Sequence, residues 1–176
     1  MKDIISRILV AVDGSEPSMT AAEYAISIML HYSAPDLIVL HVLPKGIKRG
    51  YFDYRPEDIP VWIKENLFAY KQEVQRWVDR IKERYQQQRE KQNQQQQDQD
   101  QHQHQQESET AKINLKIDMV DLMASVAGTI VSYAEEKEVD LIVIGTTGMS
   151  GIKRMLLGSV AEGVVMYAHC PVLLVK

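Results

Sequence analysis

The sequence predicts an α/β fold in which a doubly wound parallel sheet is covered by helices on both faces. Two observations lead to this prediction. Short apolar runs rich in Val, Ile and Leu alternate along the chain with segments of helical periodicity. The first and fourth of these runs are each followed directly by a glycine-containing turn. Strands that alternate with helices form a parallel sheet, so we expect the order β-α-β-α-β-α-β-α-β.

All but one of the five predicted strands are short, mainly apolar runs, as expected for strands covered on both faces. The third run differs because its apolar residues alternate with polar ones. Pro171 stands at the first position of the last strand, where a missing backbone N–H is tolerated. The predicted strands are Arg7–Val12, Leu37–Val42, Ile113–Ile117, Val139–Ile144 and Pro171–Val175.

The predicted helices each show one apolar face at spacings of three and four residues. Pro17 suits the first turn of the first helix, Ser125 is a candidate cap for the third, and Ser159 opens the fourth. The faces are Ala21, Ala25, Ile28 and Tyr32 in the first helix; Leu67, Tyr70, Val74, Trp77, Val78, Ile81 and Tyr85 in the second; Ala127, Ile130, Val131 and Ala134 in the third; and Val160, Val164 and Ala168 in the fourth.

A single domain spanning residues 1–176 is expected, with a low-complexity Gln-rich insert at about 86–110. Residues 43–60 lack periodicity and are predicted to form a loop. Residues 86–106 contain 13 Gln among 21 positions. Gln favours helices, so the second helix has the propensity to continue past Tyr85. Because no apolar stripe continues with it, disorder is the favoured prediction.

Composition and charge narrow the functional classes. The net charge of -4 and pI of about 5.7 argue against a general nucleic-acid surface. Cys170 is the only cysteine, which excludes an internal disulfide and favours a reducing compartment. No segment has the pattern of a signal peptide, and no apolar run approaches the roughly 20 residues that span a bilayer. The expected location is cytoplasmic, without membrane association.

The motif that bears most on function is Gly145-Thr146-Thr147-Gly148, followed by Gly158-Ser159. The first part ends a predicted strand and the second opens a helix. Helix N-termini bind anions because their first N–H groups lack partners within the helix. Asp13 ends another strand, and at a parallel sheet the crevice beyond the strand ends is the usual ligand site. A carboxylate beside phosphates implies a divalent cation such as Mg²⁺.

Purely structural explanations stay open for each of these residues. Gly145 and Gly148 suit a turn, Ser159 a helix cap, and Asp13 a turn or the start of the first helix. The chain has no Gly-x4-Gly-Lys-Ser/Thr, which excludes a P-loop, and no Gly-x-Gly-x2-Gly after the first strand. Other candidates for chemistry are interpreted as solvated or packed side chains: Lys153 and Arg154, His41, His169, and His102 with His104.

The spacing Gly-x2-Gly-x9-Gly-Ser resembles that of the ATP-binding branch of the universal stress protein family. The segments Val10–Ser18, Val39–Val42, Leu156–Glu162 and Cys170–Val175 also resemble parts of that family. The resemblance implies a Rossmann-like sheet of strand order 3-2-1-4-5 and a homodimer paired through the last strand, Pro171–Val175. It covers most of the chain except the 43–60 loop and the Gln-rich stretch.

The resemblance also implies a site for ATP with Mg²⁺ or Mn²⁺. Ala11, Val12 and Asp13 would line the adenosine and metal side, with Asp13 as the metal ligand, and Val42 would meet adenine through its backbone. The residues implied for ribose and phosphates are Gly145, Thr147, Gly148, Gly158, Ser159 and Val160. Two departures from the family pattern are Thr147, where relatives often carry His or Arg, and Ala124-Ser125-Val126, where they often carry Gly-x-Pro.

Three functions remain open from the sequence. The first is an ATP-binding regulatory protein of the stress response, in which nucleotide occupancy changes dimer or partner interactions. The second is a slow ATPase or a phosphoryl or nucleotidyl transferase, for which Asp13 is the only candidate residue. The third is an interaction module that binds no nucleotide. We expect the first, with no catalytic residue.

Overall fold

The computed structural model describes residues 5–31, 36–50, 61–100, 114–148 and 157–176. Within these ranges, strands and helices alternate in the predicted order. The strands are β1 (Arg7–Ala11), β2 (Asp36–Leu43), β3 (Asn114–Asp121), β4 (Leu141–Gly145) and β5 (Val172–Val175). The helices are α1 (Glu16–His31), α2 (Val61–Asp100), α3 (Val126–Glu136) and α4 (Ser159–Tyr167).

The five strands form one sheet in the order β3-β2-β1-β4-β5, and every pair is parallel. This confirms the fold class and the strand order. At the centre, Leu9 lies between Ile38 of β2 and Ile142 of β4. The chain moves outward in one direction from β1 to β3 and in the other from β4 to β5, so the order reverses between β1 and β4.

Two hydrophobic clusters cover the two faces of the sheet, because alternate strand residues point to opposite faces. On one face, α1 and α2 bury residues such as Ile26, Met29 and Trp77 against Val10 and Val39. On the other face, α3 and α4 cover the sheet, with Ile8 and Leu9 separated between the two clusters. The second cluster includes Leu9, Leu40, Ile130, Ala134, Ile142, Ile144, Ala161 and Val164.

β3 is longer than its apolar pattern predicts. It pairs with β2 along its whole length, from Asn114 beside Asp36 to Asp121 beside Leu43. The prediction ended at Ile117, but the strand continues to Asp121 because its backbone stays paired with β2 as far as Leu43. The predicted Ile113 lies outside the described residues, as do Tyr32, Lys153, Arg154 and both histidines of the Gln-rich stretch.

α2 does not end where its apolar stripe ends. Among its described side chains, those buried are Val74, Trp77, Val78, Ile81 and Tyr85, and the helix then continues to Asp100. The side chain of Leu67, predicted for the same stripe, lies outside the described part. The expectation of disorder is therefore wrong for residues 86–100. Gln, Lys, Arg and Glu are good helix formers, and extending a helix that is already nucleated costs far less than starting one.

Contacts with α1 also support the region of α2 around the end of the stripe. Arg84 forms an ion pair with Glu23 at 3.1 Å, and the Ser27 hydroxyl donates to the Gln88 side chain at 3.4 Å. Both contacts are solvent-exposed, and such pairs contribute little to stability. Among the described helices, none has the length and apolar character needed to cross a membrane.

The start of α3 gives a direct test of local folding. The Ser125 hydroxyl accepts a hydrogen bond from the Gly128 N–H at 3.0 Å, which confirms the predicted cap. We expect Ser125→Ala to lower the free energy of unfolding by about 1 kcal/mol, measured by urea denaturation. Ser125→Asp is the matched control and should stay near wild type, because Asp also caps helices. Equal stability of all three proteins would contradict the capping role.

Candidate functional site

A cavity of about 190 Å³ opens at the carboxyl ends of the strands, where the strand order reverses between β1 and β4. This is the usual location of ligand sites in open α/β sheets. Every residue that the sequence analysis assigned to a site lies in its lining. These residues are Ala11, Val12, Asp13, Val42, Gly145, Thr147, Gly148, Gly158, Ser159 and Val160.

The lining also includes residues that the sequence analysis did not select. Leu40 precedes Val42 by two positions and therefore points to the same face of the sheet, and Ile144 ends the apolar run of β4. A period-two reading of β2 and β4 would have found them. Ile130 and Val126 come from α3, whose approach to the cavity depends on tertiary packing. The missed residues are Ser18, Leu40, Val126, Ile130, Ile144, Thr146 and Ala161.

One wall of the cavity is the N-terminus of α4. The Glu162 N–H donates to the Gly158 carbonyl at 2.9 Å, which makes Gly158 the N-cap. Helix geometry leaves the N–H groups of Ser159, Val160 and Ala161 without acceptors inside the helix. The Ser159 side chain is exposed. Three backbone donors and a hydroxyl are thus grouped where the helix dipole favours negative charge.

Gly158 is one of the residues that the resemblance implies for ribose and phosphates, but its own N–H is bonded within the protein. Its N–H donates to the Thr146 carbonyl at 2.7 Å, and a Cβ at Gly158 would lie 3.3 Å from that oxygen. The Thr146 N–H in turn donates to the Val175 carbonyl at 2.8 Å. These bonds join the start of α4 to the end of β4, so Gly158 positions the donors of the following residues.

At each of the two glycines of the turn after β4, a different neighbour leaves no room for a side chain. A Cβ at Gly145 would lie 2.9 Å from the backbone carbon of Pro17 and 3.1 Å from the Ser18 nitrogen. Gly145 is therefore needed for the close approach of α1, a structural reason different from the turn considered in the sequence analysis. A Cβ at Gly148 would lie 2.7 Å from Oδ2 of Asp13. Gly148 leaves space for that carboxylate at the cavity.

The two carboxylate oxygens of Asp13 have different surroundings: one is bonded within the turn, and the other lies beside Gly148. Its Oδ1 accepts hydrogen bonds from the Ser15 backbone N–H at 3.0 Å and from the Ser15 hydroxyl at 2.6 Å. This bonding fixes the turn that joins β1 to α1. Its Oδ2 lies close to Gly148, and both residues line the cavity. Asp13 is the one acidic or basic side chain among the described residues of the lining.

The donor set suits a magnesium ion only in the presence of a ligand. In the described part of the chain, no group of three or more His, Cys, Asp or Glu side chains is placed to hold a metal. Mg²⁺ usually keeps several waters and binds through one or two carboxylates together with substrate phosphates. The Asp13 carboxylate, which lines the same cavity as the N-terminus of α4, is the one such carboxylate in the described lining.

His41 is packed and hydrogen-bonded, as the sequence analysis interpreted it. Its Nδ1 lies 2.8 Å from the Val12 carbonyl oxygen, and its Nε2 is hydrogen-bonded to the Tyr70 hydroxyl. Because the carbonyl can only accept, Nδ1 carries the proton and Nε2 accepts from Tyr70. Burial lowers the pKa of His41 below 6.5, against the smaller raising effects of the Val12 hydrogen bond and of Asp13.

His169 lies away from the cavity. It follows Ala168, the C-cap of α4, and is therefore at the opposite end of that helix from Ser159. Its neighbour Cys170 is partly buried, and burial raises the pKa of that thiol. Neither residue lines the cavity.

Comparison with known proteins agrees with this fold. The model of the universal stress protein family matches residues 5–83 and 67–176. The universal stress protein MJ0531 of Methanocaldococcus jannaschii is 32% identical over 175 residues, which are 99% of this chain and 84% of that protein.

Solved structures show the same fold at lower sequence identity. The structure of MJ0577 of Methanocaldococcus jannaschii has a TM-score of 0.59 at 22% identity, covering 98% of this chain and 96% of that one. A universal stress protein from Archaeoglobus fulgidus, solved in complex with dAMP, has a TM-score of 0.56 at 21% identity. That match covers 98% of this chain and 99% of the other.

The lowered pKa of His41 predicts a pH dependence of stability. The unfolded chain takes up a proton at His41 near pH 6.5, whereas the folded protein takes it up only at lower pH. The stabilisation is therefore complete above about pH 6.5 and is lost as the pH falls below it. We expect the free energy of unfolding, measured in urea, to fall between pH 7.5 and pH 5.5.

The variant His41→Asn isolates this contribution. Its amide can still donate to the Val12 carbonyl but does not titrate, so we expect a smaller fall over the same interval. Asp118 does not titrate between pH 7.5 and pH 5.5. Burial alone would raise its pKa, but hydrogen bonds from Lys116 and Tyr133 keep the pKa below its ordinary value of 3.8. A fall as large in His41→Asn as in wild type would refute the assignment to His41.

Proposed function

The chain belongs to the universal stress protein family, and from this premise we propose that it binds ATP with Mg²⁺ in the cavity between β1 and β4. Occupancy by the nucleotide would change how the protein pairs with itself or with a partner. One observation carries the proposal: the N-terminus of α4 and the Asp13 carboxylate lie in the lining of the same cavity. Anion donors and a cation ligand are thus combined at one site.

The adenosine end is supported by the way β1 ends. The pairing of β1 with β2 stops at Ala11 and Leu40, and the Val12 N–H donates to the Leu40 carbonyl at 2.9 Å. Backbone groups alternate along a strand, so those of Val42 face the same side as those of Leu40. Beyond the end of β1 that side borders the cavity. Val42 can therefore exchange backbone hydrogen bonds with the edge of an adenine.

The apolar surface suits a flat base. Leu40, Val42, Ile130 and Ile144 provide side chains from the sheet and from α3. Base recognition of this kind combines contact with apolar side chains and a few directional polar groups. The related structure from Archaeoglobus fulgidus was solved with dAMP, which contains the same base.

The phosphate end is supported by the donors of α4. The N–H groups of Ser159, Val160 and Ala161, with the Ser159 hydroxyl, can bind phosphate oxygens. Thr147 adds a hydroxyl but no charge. Because Asp13 would repel phosphates, a divalent cation is needed between them, and Mg²⁺ bound there would neutralise charge on both.

The site favours holding the nucleotide over cleaving it. Both ring nitrogens of His41 are engaged, by Val12 and by Tyr70. No other acidic or basic side chain accompanies Asp13 in the described lining. Hydrolysis needs a group that orients the attacking water, and Asp13 is already assigned to the cation. A regulatory role therefore fits better than an enzymatic one.

A homodimer through β5 completes the proposal. β5 is an edge strand, and an edge presents unpaired backbone groups to other chains. Exposed apolar side chains accompany it: Leu174 on β5, and Val165, Met166 and Tyr167 on α4. The Val175 carbonyl accepts from the Thr146 N–H, so the edge connects directly to the turn of the nucleotide site.

The first test is to identify and measure the nucleotide. We expect protein purified without added nucleotide to release ATP on denaturation, detected by chromatography. Calorimetry should show Asp13→Asn binding ATP about tenfold more weakly in Mg²⁺ and losing the difference between Mg²⁺ and EDTA. This variant retains an oxygen that accepts from Ser15, so the turn is preserved.

Matched variants test the phosphate end. Ser159→Ala and Gly148→Val should each weaken ATP binding, whereas Ser27→Ala, an exposed serine on α1, should not. Unchanged affinity in a folded double variant of Ser159 and Gly148 would refute these assignments. Released ADP with turnover of Mg-ATP would instead favour the slow ATPase, and a protein with no affinity for ATP would favour the interaction module.

The dimer has its own test. Leu174→Lys places a charge on the exposed side of β5, and we expect it to raise the dimer dissociation constant by roughly tenfold or more, about 1.4 kcal/mol. Sedimentation velocity measures this. Tyr24→Lys, an equally drastic change at an exposed position of α1, is the control. A wild-type monomer, or dimers of equal strength in both variants, would contradict pairing through β5.

A further inference from the structure

The turn that carries Asp13 has a second side, which faces α2 instead of the cavity. Val12 and Gly14, the residues before and after Asp13, are both contacted from that side. His41 is hydrogen-bonded to the Val12 carbonyl, and Trp77 packs against Gly14. The three side chains His41, Tyr70 and Trp77 form one cluster, which we call the α2 contact cluster.

The first contact passes from α2 through the imidazole ring to the backbone of the turn. The Tyr70 hydroxyl donates to Nε2 of His41, and Nδ1–H of His41 donates to the Val12 carbonyl at 2.8 Å. His41 is 5% exposed, so water does not compete for these bonds. Burial, with smaller effects of Glu73 and Asp13, raises the pKa of Tyr70 to about 12, so its hydroxyl retains its proton to donate.

The second contact is steric. Gly14 has φ of 85°, a conformation that favours glycine. A Cβ there would lie 2.9 Å from Nε1 of Trp77, so the indole packs directly against the turn. The same indole meets the His41 ring edge-on, with centroids 5.0 Å apart. Trp77 is 3% exposed. The turn is thus fixed at both ends, at Val12 by His41 and at Gly14 by Trp77.

We propose that His41 is a positioning residue of the nucleotide site: with Tyr70 and Trp77 it fixes the Val12–Gly14 turn against α2, and so couples nucleotide occupancy to the packing of α2. The coupling rests on the proposed function, since it needs a ligand that engages Asp13. It is reciprocal by thermodynamic necessity: whatever breaks these contacts between α2 and the turn weakens ligand binding, and the bound ligand strengthens the contacts.

Through this coupling, nucleotide occupancy would regulate the packing of α2. α2 is also the helix that continues as the Gln-rich extension beyond Tyr85. A change in the packing of Tyr70 and Trp77 is therefore passed to that extension through a continuous helical backbone. The nucleotide site would in this way control a segment that lies outside the domain core.

The first experiment needs no nucleotide. Hydrogen exchange in the ligand-free protein is compared for wild type, His41→Ala and Ile81→Val. Ile81 is a fully buried α2 residue four positions beyond Trp77, and it takes no part in the hydrogen bonds from Tyr70 through His41 to Val12, so its variant controls for general loosening of the helix. We expect faster exchange at Gly14 and Ser15 in His41→Ala only. Equal exchange at these amides in all three proteins would overturn the positioning role.

The second experiment measures Mg-ATP affinity by calorimetry. We expect His41→Ala to weaken binding by roughly tenfold and Tyr70→Phe by several-fold, although neither side chain lines the cavity. His41→Asn should recover much of the affinity because its amide can donate to Val12. Ile81→Val should bind as wild type does. Wild-type affinity in His41→Ala would overturn the coupling.

The third experiment follows α2 directly. In the Trp62→Phe background, Trp77 is the remaining one of the two tryptophans, and its emission reports on the α2 contact cluster. Saturating Mg-ATP should shift the emission and slow exchange in the segment from Tyr70 to Tyr85. Binding seen by calorimetry without either change would refute the coupling. Absence of any binding, with the positioning effect on exchange intact, would refute the proposed function and the coupling that rests on it, but not the role of His41.

Discussion

β1 ends at Ala11, while its neighbour β2 continues to Leu43 and β4 to Gly145. The rest of the site depends on this difference in length. Past the last paired residues, the backbone of β2 has no strand beside it on the β1 side, and the chain turns away through Asp13. The resulting crevice has a sheet edge on one side and the start of α4 on the other. A longer β1 would fill the crevice and satisfy the same backbone groups.

Hydrogen bonds and close contacts join the segments that surround the crevice. Thr146 bonds to the end of β5 through its N–H and to Gly158 through its carbonyl. Asp13 bonds to Ser15 on one side of its carboxylate and faces Gly148 on the other. Each of these contacts joins residues that are distant in sequence or fixes a turn. The N–H groups at the start of α4 and the Asp13 carboxylate are therefore fixed by the protein itself, and such preorganisation would reduce the entropy lost on binding of the proposed nucleotide.

Features that depend on local sequence could be predicted, whereas those that depend on packing could not. β1, β4 and the cap at Ser125 follow from apolar runs and a capping residue, and the parallel order follows from alternation. The length of β3 could not be predicted, because its end is set by pairing with β2. The steric need for Gly145 depends on where α1 approaches. The bonding of Gly158 to Thr146 and of His41 to Tyr70 joins segments whose proximity no local pattern encodes.

The length of α2 has a mechanical consequence. At 1.5 Å per residue, the 40 residues of the helix extend about 60 Å, and about 22 Å of this lies beyond Tyr85. The buried residues of α2 lie between Val74 and Tyr85, and the part of the helix beyond them acts as a lever. With Tyr85 as the pivot, a tilt of about 5° moves the backbone at Asp100 by roughly 2 Å. A tilt too small to disturb the buried residues of α2 therefore becomes a displacement of ångströms at Asp100.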